Sequence, residues 1–149
     1  MKYLAKFAQL SVRDWRLLAQ AFVTLGVCQT RLRRQKIETL RAWAANERQG
    51  TAPVNRLTWS IEVAAKSMKG ATCLCKALAL QRLLARNGHD SELRIGVNKL
   101  GEKFVAHAWL VYQGQVLIGG SELENYKLLA TWATKNAAAH GLCNGLSER

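Results

Sequence analysis

Gly70-Ala-Thr-Cys-Leu-Cys-Lys-Ala-Leu-Ala-Leu-Gln-Arg-Leu-Leu-Ala-Arg-Asn-Gly88 is the stretch that decides the fold. Leu74, Ala77, Leu78, Leu80, Leu83 and Leu84 recur at helical spacing, which predicts a helix over residues 73–86. Asn87-Gly88 stops it, because glycine takes the left-handed conformation of a helix C-cap without steric cost. Beyond that point the apolar period changes from about 3.6 to 2. Residues 92–97 read as a strand, 99–103 with Gly101 as a turn, and 104–112 as a second strand. Gln113-Gly114 is a tight turn, 115–118 a third strand, and Gly119-Gly120 ends the sheet. Ser121-Glu-Leu-Glu124 has the pattern of a capping box and predicts a short helix through Leu129.

Upstream the chain is helical throughout. Ser11 is placed to cap a helix, with Asp14 near the positive end of its dipole and Leu17, Leu18, Phe22 and Leu25 at helical spacing. A second helix is expected over 29–45, burying Leu32, Ile37, Leu40 and Trp43. The basic side chains of Arg31-Leu-Arg-Arg-Gln-Lys36 ring its outer face. Residues 46–55, with Gly50 and Pro53, form a polar loop. A third helix over 56–68 presents Leu57, Ile61 and Ala64 or Ala65. Helices followed by antiparallel strands define an α+β domain. The 149 residues are expected to form one domain, with a basic helical region at 1–70, a core at 71–130 and a tail at 131–149 without firm pattern.

Composition sets the outer bounds. The chain is 49% hydrophobic with a single proline, which excludes a disordered or collagen-like polymer. No apolar run approaches the ~18–20 residues that span a bilayer, so no membrane span is expected. Residues 17–27 follow Lys2, Lys6, Arg13 and Arg16 and precede Cys28, in the manner of a lipoprotein signal. Gln20 interrupts that stretch, and Val27 stands where a small residue is needed, so it reads as an amphipathic helix. A cytoplasmic location and reduced cysteines are expected. Cys28, Cys73, Cys75 and Cys143 show no C-x-x-C pairing, and no metal site is predicted.

The net charge of +12 is uneven. Residues 1–70 carry thirteen basic and four acidic side chains, against nine and six in the remainder. All three histidines, His89, His107 and His140, lie in the nearly balanced back half.

Chemistry concentrates at two of these residues. Cys73 falls in the first turn of the predicted helix, where the dipole and the unpaired N–H groups favour a thiolate, and its own N–H can serve an oxyanion. Cys75, two positions on, points elsewhere and is assigned to the core. His107 lies mid-strand, sharing a face with Val105, Trp109 and Val111, while Phe104, Ala106, Ala108, Leu110 and Tyr112 share the other. His89 is read as a solvated turn residue. A cysteine at a helix start and a histidine on a following antiparallel strand can form a nucleophile–base pair, since the two need only meet in space.

The ordered residues Ala71-Thr-Cys-Leu74, Ala77-Leu-Ala-Leu-Gln-Arg-Leu-Leu84, Asn87-Gly88, Glu92-Leu-Arg-Ile-Gly-Val97, His107-Ala-Trp109, Gly114 and Val116-Leu-Ile-Gly-Gly120 carry a resemblance. Over about residues 54–130 the chain resembles the transglutaminase-like cysteine proteases of lasso-peptide biosynthesis. The resemblance implies a transglutaminase-like (papain-like) fold and a peptidase that removes the leader from a lasso precursor peptide. It implies Cys73 as nucleophile, His107 as general base and acid, and no cofactor. It also implies a separate leader-recognition protein and an ATP-dependent macrolactam cyclase as partners. The family's third member is an aspartate about a dozen residues after the histidine, where this chain reads Leu117-Ile-Gly-Gly-Ser-Glu122. Glu122 is the candidate orienting side chain, with Ser121, Asn125 or a backbone carbonyl as alternatives. The basic front half is then expected to receive an acidic leader or partner protein rather than nucleic acid. Two other functions stay open: acyl transfer to an amine by the same fold, and a basic non-catalytic module that binds nucleic acid or peptide.

Overall fold

The computed structural model describes residues 10–134 apart from Glu47. Four helices precede a four-stranded antiparallel sheet of order β3-β2-β1-β4. The helices are α1 (Val12–Arg34), α2 (Ile37–Ala44), α3 (Val54–Ser67) and α4 (Cys73–Arg86). The strands are β1 (Glu92–Leu100), β2 (Lys103–Tyr112), β3 (Gln115–Ile118) and β4 (Lys127–Ala133). The expected α+β architecture is the one observed.

Helix α4 is the axis of the molecule. Its residues Ala77, Leu78, Ala79, Leu80, Leu83 and Leu84 are all buried. Helices α1, α2 and α3 cover it on one side and the sheet on the other, through Leu93 and Ile95 of β1 and Ala108 and Leu110 of β2. Gly88, at φ +75°, closes it as the sequence requires: His89 N–H donates to Leu84 (3.0 Å) and Gly88 N–H to Ala85 (3.2 Å). That pair of bonds is a Schellman motif.

Helix α1 starts as predicted. The Ser11 hydroxyl accepts from Asp14 N–H, and the Asp14 carboxylate returns the bond to Ser11 N–H. It then runs unbroken through Gly26, so the expected division before Gln29 is corrected. The break falls instead at Gln35 and Lys36, both extended. Turning there lets the short α2 lay Leu40 and Ala44, both fully buried, against α4. The predicted span of α3 is right to within two residues at its start, beginning at Val54 after Pro53.

The second correction concerns residues 121–133. No helix forms there, and the Ser121–Glu124 capping box is not made. Glu122 sits in the left-handed region at φ +55°, a single 3-10 turn covers Leu123–Asn125, and β4 follows. The physical reason is the free edge of β1, whose backbone groups β4 satisfies. Gln81 Nε2 donates to the carbonyl of Trp132 (2.9 Å) and locks the strand to α4. Thr134 is buried and accepts from Ser91 N–H (3.1 Å), so ordered structure extends past residue 130 into the segment read as a tail. Lys2, Lys6, residues 136–139, His140 and Cys143 lie outside the described residues.

Candidate active site

The start of α4 is held by a residue that the sequence reading passed over. Thr72 is its N-cap, and its hydroxyl accepts from Cys75 N–H (3.2 Å). Lys76 N–H bonds the Thr72 carbonyl (3.0 Å). Cys73 and Leu74, the first two helical positions, are left with no partner for their N–H groups among the described residues. Two unpaired donors at the positive end of a helix dipole form a place where negative charge is stabilised.

The described cysteines separate by environment. Cys28 and Cys75 are buried where α1 packs on α4, Cys28 Sγ donating to the Cys75 carbonyl (3.6 Å) and Cys75 Sγ to that of Leu25 (3.8 Å). The hydrogen bond with Cys75 and then burial push the Cys28 thiol far above its ordinary pKa. Cys28 therefore has a structural place that the sequence did not reveal, and Cys75 packs in the core as expected. Cys73 alone of the three is not fully buried; its side chain packs against the edge of the core and makes no hydrogen bond.

His107 lies on the face of β2 opposite Ala108 and Leu110, as alternation required. Its ring stacks on Trp109 at 6.3 Å between centroids and meets Tyr126 at 5.2 Å. Its Nε2 is 2.8 Å from the carbonyl oxygen of Gly119, twelve residues further on. Glu122 is exposed in the turn and makes no bond to the imidazole; Ser121 and Asn125 make none either. Tyr126 was hidden from the sequence by the helix expected at 121–129. Gly119 was visible only as the end of the sheet.

A groove of about 620 Å³ runs between α3, the start of α4 and the β3 edge. His107, Lys76, Ala71, Lys66 and Glu62 line it together with residues 116–121. Ala71 and Lys76, on either side of Cys73 in sequence, share this groove with the imidazole, while Cys73 itself is not among its lining residues. No hydrogen bond joins Cys73 Sγ to His107. His89 is on another side of the molecule. It is half-buried rather than solvated, with Nε2 2.8 Å from the Ala52 carbonyl and its ring edge-on to Tyr112. No cluster of three metal-ligating side chains occurs among the described residues.

Helices followed by an antiparallel sheet, with a cysteine opening the central helix and a histidine on the second strand, define the cysteine-protease type of α+β domain. The chain belongs to the transglutaminase-like superfamily, whose profile matches residues 17–131. No curated protein and no solved structure matches it. No described helix is long and apolar enough to cross a membrane.

Proposed function

We propose that the protein is a cytoplasmic cysteine peptidase that removes the leader from a lasso precursor peptide. The observation that carries the catalytic part is Cys73 at the first position of α4, its own N–H and that of Leu74 unpaired among the described residues, with its sequence neighbours Ala71 and Lys76 lining the groove that His107 also lines. The leader-peptidase part rests on the ordered motifs from Ala71-Thr-Cys-Leu74 to His107-Ala-Trp109 and Val116-Leu-Ile-Gly-Gly120.

In this reading His107 takes the proton of the Cys73 thiol, and Sγ attacks the carbonyl carbon at the leader–core junction. The tetrahedral oxyanion accepts from the N–H groups of Cys73 and Leu74. The C–N bond breaks, His107 returns the proton to the departing amine, and the leader remains as a thioester on Sγ. Water, deprotonated by His107, then attacks the thioester; the C–S bond breaks and the thiol is re-formed. The freed amine becomes the substrate of a separate ATP-dependent cyclase, and a separate leader-recognition protein delivers the precursor. Thiol and imidazole must close on one another when peptide binds, as catalytic hydrogen bonds commonly tighten in the substrate complex.

Purified protein, precursor and leader-recognition protein test this together. The parent is expected to yield leader and core whose masses sum to precursor plus water. Cys73→Ala is expected to lose cleavage by ~1,000-fold or more, the scale of nucleophile removal. Equal cleavage by Cys73→Ala overturns the assignment. A product joined to an added amine, without the water, moves it to acyl transfer. The lack of a hydrogen bond between Cys73 and His107 favours one other reading, a non-catalytic peptide-binding domain on the same fold. Precursor binding without cleavage under any partner combination selects it.

A further inference from the structure

We infer that the backbone carbonyl of Gly119 is the positioning group for His107, in the place where the resemblance expects an aspartate side chain. The inference rests on the peptidase reading above, and it fixes which ring nitrogen of His107 works as the base.

A carbonyl oxygen only accepts hydrogen bonds. At 2.8 Å from the Gly119 oxygen, His107 Nε2 must therefore carry the proton. The neutral ring then offers Nδ1, unprotonated, as its sole acceptor. The ring is confined as well as tautomerically fixed, by Trp109 stacked on one side and Tyr126 tilted against it. In a charged state the same Nε2–H stays bonded, so Nδ1 alone exchanges the catalytic proton.

Gly119 cannot be replaced by a residue with a side chain while this bond stays in place. Its φ of +79° is a left-handed conformation that costs other residues free energy. A Cβ there would stand 2.7 Å from the Ala108 oxygen and 3.1 Å from Trp109 Cα and Cβ. A side-chain carboxylate at this position is excluded by the close approach of β2, and that same approach brings the main-chain carbonyl to the imidazole. The missing aspartate is thus a change of orienting group from side chain to main chain. The carbonyl supplies a dipole and no net charge.

The test is direct nitrogen NMR of His107 in the full-length protein labelled with ¹⁵N-histidine, followed by kinetics of Gly119→Ala. The parent at a pH where the ring is neutral is expected to show a protonated Nε2 and an unprotonated Nδ1. Gly119→Ala is expected to lose that fixed tautomer and to lower kcat between ~10- and ~100-fold with KM unchanged, by analogy with the loss of the outer hydrogen-bond partner of a metal-bound histidine. A parent ring in the Nδ1–H form, or averaged as in free imidazole, overturns the inference even if the variant fails to fold. So does a folded Gly119→Ala with parental kcat. An Nε2–H ring in a protein whose Cys73 is dispensable for cleavage fails differently: it overturns the peptidase reading, and with it any catalytic use of the bond.

Discussion

Gly96 and Trp109 show how closely the surroundings of His107 are built. Gly96 pairs with His107 across β1 and β2, and the Trp109 indole lies over it. A Cβ on Gly96 would meet Trp109 Cη2 and Cζ3 at 3.0 Å and the Lys127 carbonyl at 3.0 Å. Gly96→Ala should therefore push the indole off its seat and cost roughly 1–3 kcal/mol, as overpacking does. Because His107 stacks on that indole, the same variant should lower cleavage beyond what its stability loss explains. Thermal unfolding and kcat measured on one preparation separate the two effects. Asp14 makes a different prediction. Its carboxylate accepts from Arg56 of α3 and from Ser11 N–H (3.1 Å) and hydroxyl (3.0 Å). The Arg56 bond, aided by Ser11 and opposed by desolvation, holds its pKa below the ordinary carboxylate value. A folded pKa below the unfolded one means that the unfolded chain binds more protons in acid. The stabilisation is present above the unfolded value and is lost as pH falls through the folded one. Asp14→Asn should thus be less stable than the parent at neutral pH, and the gap should close below about pH 4. Urea midpoints across that range check the sign.

At the scale of elements, the first turn of α4 owes its order to Thr72. Thr72→Ala should cost about 1 kcal/mol, the usual loss for a removed N-cap, and Thr72→Ser should be near neutral. For a chain of this length that is a shift of about 2–4 °C in Tm. Fraying there also disturbs the N–H groups beside Cys73, so alkylation of Cys73 by iodoacetamide should slow in the alanine variant and recover with serine. A parental rate in Thr72→Ala would mean that the turn does not need its cap. The element was legible because its apolar positions and Gly88 sit within one continuous stretch, although its N-cap Thr72 was not singled out. Strand β4 was not. A bulge between Ile95 and Gly96 in its pairing with β1 skips Leu129, which breaks the alternation that marks a strand. Leu128 and Leu129 are then both exposed in succession, and the preceding Ser-Glu-Leu-Glu imitates a cap. The turn at Gln35 and Lys36 was equally silent, since neither glycine nor proline marks it and its cause is the distant face of α4. The orienting carbonyl of Gly119 belongs to the same class. Residue types announce side-chain chemistry, whereas a main-chain acceptor is defined by where the backbone passes.

Among the described residues of the whole molecule the positive charge is largely without acidic partners. Only two ion pairs form among the described residues, Arg56–Asp14 and Arg94–Glu92. The arginines nevertheless divide into two groups. Arg31 and Arg82 both lie over the Trp43 ring, at 5.4 and 5.1 Å from its centroid, and Arg82 Nη1 donates to the Trp43 carbonyl (2.6 Å). Burial, then repulsion from Arg86, Arg48 and Arg31, lowers the pKa of Arg82. These side chains are part of the fold, through cation–π contacts and desolvated hydrogen bonds. Arg33 and Arg34, by contrast, are exposed at the end of α1 with no side-chain hydrogen bond or ion pair among the described residues. Of the three arginines in the basic run Arg31-Leu-Arg-Arg-Gln-Lys36, Arg31 is therefore the wrong one to change in a binding test, because its loss would confound folding with binding. Arg33→Glu with Arg34→Glu is the clean variant. If the basic end of α1 receives an acidic leader or partner, this double reversal should weaken binding of a polyglutamate peptide by roughly two- to fivefold, on the scale of about 0.5–1 kcal/mol for such exposed contacts. The loss should shrink as salt rises, since exposed charges are screened over about 8 Å at physiological ionic strength. Alkylation of Cys73 should not change. Unchanged peptide affinity at low salt would assign these charges to solubility alone, and tighter binding of duplex DNA than of the acidic peptide by the parent would assign the surface to nucleic acid.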